Sequence, residues 1–190
     1  NVNDPKVIGS MSNDFEAGRM QGEFMAKNLP PNAKVVYLEG EASLEAAVKR
    51  WEGFKEACLA KRPDIQLLAM VDGSWSKAEG MKAMTLWLSF YPEINGVIAG
   101  NDEMALGAIQ ALKAANRLEG CLVSGVDATP SGLAAVRSGE LSQTIQQDAE
   151  GQAAGAVSLV KAFLDGKAPT ESLDIPFTSI TQDNIAQFSK

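Results

Sequence analysis

Gly96-Val-Ile-Ala-Gly100-Asn-Asp-Glu-Met-Ala105-Leu-Gly-Ala-Ile-Gln110 is a short apolar run that stops at a glycine and passes, through three polar side chains, into an amphipathic segment. A fully apolar run of this length, bounded by turn signals, suits a strand buried on both faces. Met104, Ala108, Ile109 and Leu112 then recur at helical spacing. Asn101, Asp102 and Glu103 are thereby expected at the carboxyl end of a strand and the amino end of a helix, where open α/β sheets bind ligands. Helix capping accounts for the same residue types, since Asn and Asp favour N-cap positions and acidic groups suit the positive end of the helix dipole.

Outward from that stretch, strand and helix alternate. Lys6 to Met11 reads as a strand and Asp14 to Leu29 as a helix, which Pro30-Pro31-Asn32 breaks. Lys34 to Leu38 is an apolar strand, and Leu44 to Ala60 a helix with Leu44, Val48, Trp51, Phe54 and Cys58 facing inward. Ile65 to Met70 is a third strand, followed by the polar loop Val71-Asp-Gly-Ser-Trp75-Ser and a helix from Lys77 to Phe90. After the central pair comes the strand ending Gly125-Val-Asp127, then a short helix with Thr129 as N-cap and Pro130 as its first residue. Leu141 to Gln147 is a strand, and Gly151 to Leu164 a helix with Ala153, Ala156, Val157, Val160, Phe163 and Leu164 as its apolar stripe. Leu173 to Ile180 is a last strand, interrupted by Pro176. The fold class is α/β, a largely parallel doubly wound sheet flanked by helices.

Composition narrows the chemistry. The chain has 190 residues, 45% of them hydrophobic and 22% charged, enough for one good core or slightly more. Its longest apolar runs are too short to span a bilayer. The first residues, Asn1-Val-Asn-Asp-Pro5, carry neither a basic n-region nor an initiator Met, so mature or excised material is expected. A net charge of -7 and a pI near 4.7 give no basic footprint for nucleic acid. Histidine is absent, which removes a Ser-His-Asp or Cys-His nucleophile and a His-ligated zinc site. The two cysteines, Cys58 and Cys121, fall in different apolar segments and read as buried thiols rather than a disulfide.

In a doubly wound sheet the strand ends open on one rim, so Glu41 to Ser43, Gly73 to Ser76, Asn101 to Glu103 and Asp127 to Thr129 are expected to converge there. No stretch reads as a dinucleotide or Walker A phosphate loop, and no cofactor is called for. Asn, Asp, Arg and Gln with an aromatic suit a neutral polyhydroxylated ligand: each polar group engages neighbouring hydroxyls and a ring covers the C–H face. An enzyme cutting glycosidic bonds needs two flanking carboxylates, and the adjacent Asp102 and Glu103 make a poor pair.

Gly100-Asn-Asp-Glu-Met-Ala105-Leu-Gly, Gly125-Val-Asp127-Ala-Thr-Pro130 and Gly139-Glu-Leu-Ser-Gln-Thr-Ile145-Gln-Gln147, in this order and spacing, resemble the sugar-binding periplasmic proteins of ABC importers, the ribose-binding type. The effector domains of LacI-type transcriptional repressors share the pattern and are the alternative. The resemblance implies a type I periplasmic-binding-protein lobe in a chain that lacks most of its N-terminal lobe. Residues 1–12 then hold the last strand of that lobe and a hinge, 13–147 the C-terminal ligand-binding lobe, 148–172 a helix of the N-terminal lobe, and 173–190 the crossing back. It implies ligand hydrogen bonds from Arg50, Asn101, Asp127 and Gln147, with Trp75 as an aromatic platform. Read without it, Arg50 is an exposed helix residue, Asp127 a turn cap, Gln147 a solvated strand end, and Trp75 an indole with little core to join. Further implied are a monosaccharide or polyol ligand in an interlobe cleft, closure by a hinge, an ABC permease as partner and a periplasmic location. The stripe on 151–164, short of its natural cover, is expected to drive self-association.

Overall fold

A computed structural model of the chain describes residues 7–167 and 169–188. In chain order its elements are β1 (Ser10–Met11), α1 (Asp14–Asn28), β2 (Lys34–Glu39), α2 (Glu45–Phe54), β3 (Gln66–Asp72), α3 (Lys77–Phe90), β4 (Gly96–Ala99) and α4 (Asp102–Ala114). They continue with β5 (Leu122–Asp127), α5 (Pro130–Ser138), β6 (Gln143–Gln146), α6 (Ala149–Leu164), β7 (Leu173–Asp174) and β8 (Thr178–Ile180). A π-helical turn, Lys55–Leu59, extends α2, and a 3-10 helix, Ile185–Phe188, follows β8. The chain divides into two units: the described residues of Asn1–Asn13 with Gln147–Phe177, and those of Asp14–Gln146 with Thr178–Lys190.

The larger unit is a six-stranded sheet in the order β3-β2-β4-β5-β6-β8. All its pairings are parallel except β6 with β8. Because successive strand side chains point to opposite faces, β2 feeds two cores. Val36 and Leu38 join Val97, Met84, Trp87, Met104 and Leu112 on the face covered by α3 and α4. Val35 and Tyr37 join Ile98, Met25, Leu29 and Phe54 on the other. The apolar residues expected on α4, Met104, Ala108, Ile109 and Leu112, are all buried. Cys58 lies in the second cluster and Cys121 in the first, so the sheet separates them and both are free thiols. Burial pushes Cys58 up to about 11 and Cys121 to about 12.

In the smaller unit β1 and β7 pair in parallel, Ser10 opposite Leu173. Only Gly155 of α6 is buried, against Ser10. The expected apolar stripe is exposed: Val157 is 69%, Phe163 68% and Leu164 78% accessible.

Three expectations need correction. The strand read over Lys6 to Met11 is confined to Ser10–Met11, and Lys6 lies outside the described residues. The last strand is two strands, β7 and β8, in different sheets, with Pro176 between them, where a missing N–H ends a ladder. Most informative is α2, whose inward face is Ala47, Arg50, Gly53 and Phe54, while Leu44 and Val48 stand 45% and 38% exposed. Backbone contact between α1 and α2 sets this rotation. A Cβ on Gly18 would lie 1.9 Å from the Arg50 carbonyl oxygen, and one on Gly53 2.1 Å from that of Phe15. Apolar periodicity could not register a face built on glycines.

Gly53→Ala is therefore expected to cost ~2–3 kcal/mol of folding free energy by forcing the helices apart, whereas Leu44→Ala stays within about 0.5 kcal/mol of the parent because its side chain packs little. Chemical denaturation of the two variants checks both.

Candidate functional site

Chain order places a crevice at the carboxyl end of the sheet. From β2 the chain moves outward to β3, then returns to the other side of β2 to lay down β4, so the segments leaving β2 and β4 depart in opposite directions. The Trp75 indole fills that point. A Cβ on Gly40, just after β2, would lie 2.1 Å from its ring, and one on Gly100, just after β4, 3.2 Å. Two glycines thus let the indole lie on bare backbone. The ring is half-buried and packs against the α3/α4 core, which corrects the reading that it has little core to join. Its loop is held in shape locally: Ser74 and Trp75 have φ of 49° and 57°, and the Asp72 carboxylate accepts from the N–H groups of Ala42 (3.1 Å) and Ser74 (2.7 Å).

Arg50 comes to the same place from α2. It is 4% exposed, so its reading as a solvated helix residue is set aside. Nε and Nη2 each lie 2.8 Å from Asp14 Oδ1, Nη1 donates to the Gly100 carbonyl at 2.7 Å, and Cζ stands 5.5 Å from the centroid of the Trp75 ring. A buried guanidinium is tolerated because a carboxylate, a carbonyl and a ring face replace its water.

Asn101 is the N-cap of α4, its Oδ1 accepting from Met104 N at 3.0 Å while Nδ2 donates to the Trp75 carbonyl at 3.2 Å. Capping and ligand contact do not compete here. An amide has a second N–H and a second lone pair, and the bonds within the protein fix where they point.

Asp102 does not face the crevice rim as a free cap. Fully buried, it accepts from Thr144 Oγ1 at 2.7 Å, Thr129 N at 2.8 Å and Thr129 Oγ1 at 3.2 Å. This clasp pins the loop after β5, where Asp127 and Ala128 adopt φ of 117° and 54°, a conformation that L-residues hold only when their surroundings impose it. Thr129 caps α5 as the sequence indicates, accepting from Gly132 N at 3.0 Å. Burial raises both carboxyls to about 6. For Asp102 the hydrogen bonds from Thr144 and Thr129 oppose the rise. For Asp127 the Arg50 charge opposes it, while Asp14 and Glu103 add to it.

Arg50, Trp75, Asn101 and Asp127 therefore gather at one end of the larger unit's sheet. Gln147 belongs to the other unit, half-buried one residue beyond β6, its carbonyl accepting from Ala149 N. Asp14 was not foreseen. An acid in the first turn of a helix is ordinary, and nothing in the sequence ties it to an arginine 36 residues away. Among the described residues no group of three or more His, Cys, Asp or Glu could hold a metal ion, and no helix is long and apolar enough to cross a membrane.

Comparison with known proteins places this arrangement. Residues 3–168 match the model of the periplasmic binding protein domain. The xylitol-binding protein of Mycolicibacterium smegmatis is 33% identical over 183 residues, 95% of this chain and 52% of that protein. The ribose import binding protein of Haemophilus influenzae is 40% identical over 139 residues, 73% and 46%. Among solved structures, an ABC transporter solute binding protein from Bacillus halodurans with bound myo-inositol superposes with a TM-score of 0.88 at 34% identity, covering 95% of this chain and 62% of that one. The chain spans about half the length of these curated relatives. With a family model matched over most of its length and a doubly wound lobe of the same architecture, the chain belongs to the periplasmic binding protein family.

Proposed function

We propose that this chain is the ligand-binding lobe of a solute-binding protein that takes a monosaccharide or cyclic polyol into an interlobe cleft and delivers it to an ABC permease in the periplasm. The role is binding, without catalysis, metal or cofactor. The observation that carries the reading is the cluster of Arg50, Trp75, Asn101 and Asp127 at the switch point of the sheet. A guanidinium, an amide and a carboxylate present both donors and acceptors, which hydroxyl groups answer pairwise, and an indole beside them suits a C–H face. Gln147 is proposed to contribute a further amide. The relatives' names, xylitol-binding and ribose import binding, and the neighbour with bound myo-inositol support this class of ligand. Calorimetric screening of pentoses, hexoses, inositols, amino acids and peptides tests it. A monosaccharide or polyol is expected to bind best, and tighter binding of an amino acid or peptide overturns the reading.

The exposed stripe of α6, with the half-exposed Val7 and Ile8, is proposed to pair with a second copy of this 190-residue chain. Sedimentation is expected to show association that strengthens with concentration and is lost in Val157→Ser/Phe163→Ser.

Two predictions concern the site. Arg50→Lys keeps the charge but loses the planar fork, and should weaken binding of the best ligand about tenfold or more, the equivalent of one charge-assisted hydrogen bond. The pH dependence follows from Asp127. Its carboxyl titrates near 6 in the folded chain, and as a carboxylate it accepts from ligand hydroxyls, so affinity should fall about tenfold per unit as pH drops below this value. Stability of the unliganded chain runs the other way. Asp102 and Asp127 hold protons more tightly folded than unfolded, so their contribution is full below about pH 4, the unfolded value, and lost as pH rises through about 6. Asp127→Asn should remove most of the pH dependence of affinity and flatten the stability profile; calorimetry and denaturation between pH 4 and pH 8 read the two.

A further inference from the structure

We propose that Gln21, a side chain outside the candidate site, is a positioning residue that sets the separation of Asn101 and Asp127. The β4–β5 ladder is in register through Gly96 opposite Leu122, Val97 opposite Val123 and Ile98 opposite Ser124, and beyond that pair the strands run on to the two site-bearing loops. There the fully buried amide of Gln21, from α1, is inserted. Its Nε2 donates to the Ala99 carbonyl at 3.0 Å and to Ser124 Oγ at 3.1 Å, and lies 3.4 Å from the Gly125 carbonyl. Ala99 and Gly125 each stand two residues before a site side chain, Asn101 and Asp127 respectively. One donor thus spans the ends of both strands.

The amide cannot be turned over. In the reversed orientation its oxygen would face two carbonyl oxygens, and its hold on the strands would become repulsion. A second buried amide fixes the sense of the chain of bonds. Ser124 Oγ donates to Gln143 Oε1 at 2.8 Å, leaving its lone pairs to accept from Gln21, while Gln143 Nε2 donates to Ser179 Oγ at 2.8 Å and to the Met20 carbonyl at 3.3 Å. Both ends of the relay are anchored, so Gln21 has one place to be.

A purely stabilising role fits poorly. Gln21 Oε1 is buried and accepts no hydrogen bond from the described residues. An orphaned acceptor of this kind offsets much of what the donor on the same amide contributes. Methionine, similar in length and apolar, would relieve that cost while surrendering the tie between the strands. Stability and site geometry are then separable by substitution.

The test compares Gln21→Met with the parent protein by thermal denaturation, by backbone amide shifts, and by 13C titration of aspartate carboxyls. Expected are a thermal midpoint within a few degrees of the parent and displaced amide signals at residues 99–102 and 125–128. The Asp127 titration midpoint should fall by half a pH unit or more as the strained loop relaxes toward water. Unmoved amide signals and an unmoved midpoint would overturn the proposal. Should Gln21→Met fail to fold, Gln21→Asn, which keeps the amide but withdraws it by one methylene, is expected to displace the same signals; parent-like signals in it, or unfolding of both variants, assigns Gln21 to structure alone and overturns it equally. A ligand arm rests on the proposed function: affinity for the best sugar or polyol should weaken tenfold or more in Gln21→Met. Absence of any such binding by the parent overturns that function and leaves the titration and amide shifts to decide the role of Gln21.

Discussion

A single guanidinium out of water is what the carboxyl end of the larger unit's sheet is built around. Burying an unpaired charge costs several kcal/mol or more, and only a partner with good geometry recovers it. Arg50 has Asp14 on one side and the Gly100 carbonyl on the other, which ties the start of α1 to the turn after β4. Bringing α2 close enough to deliver Arg50 there requires helices that touch backbone to backbone, hence Gly18 and Gly53. Leu44 and Val48 are turned outward as a consequence. The ion pair, the glycine contact and two exposed aliphatic side chains are one structural decision seen at three places.

The second constraint is conformational. Trp75 and Asp127 both lie in loops with positive φ at non-glycine residues, each such residue costing of order 1 kcal/mol or more. Each loop is held by a carboxylate, the first by one of its own residues and the second by one from α4. Asp72 cradles the first through two backbone N–H groups, and Asp102, sunk beneath the second, accepts from Thr129 and Thr144. Carboxylates thus serve as struts, and the side chains that face the crevice are set in place before any ligand arrives. Preorganisation of this kind lowers the entropic cost of binding.

What the sequence discloses follows the range of the forces involved. Local signals reported well: α3 spans the expected Lys77 to Phe90, Thr129 caps α5 with Pro130 behind it, and α4 buries the expected stripe. Alternation of strand and helix was enough for the fold class, and the rim position of Asn101 followed from it. Signals that depend on distant partners did not report. Asp14 is unremarkable until α2 is laid across α1, and the inward face of α2 is invisible to hydrophobic periodicity because glycine and arginine make the contact. Gln21 reads as one more polar residue on an amphipathic helix, since a buried amide leaves no periodic trace. The motif resemblance supplied Arg50, which spacing alone would have left as a surface charge, whereas Trp75 was already a candidate from its place in a rim loop of Gly, Ser and Asp.

Charge at the crevice also shapes what can bind there. Arg50 is offset by Asp14, and Asp127 feels Arg50 against the acids Asp14 and Glu103, so neither sign dominates the end of the sheet. An anionic ligand would have to compete with Asp14 for the Arg50 guanidinium, and leaving either charge buried and alone costs several kcal/mol. Hydroxyl groups would make no such demand, since a hydroxyl can donate to a carboxylate and accept from an amide while the ion pair stays intact. The same balance explains why a carboxyl titrating near 6 is tolerable beside a guanidinium. Protonating Asp127 removes an acceptor from the crevice but leaves the Arg50–Asp14 pair, and with it the packing of α1 on α2, in place.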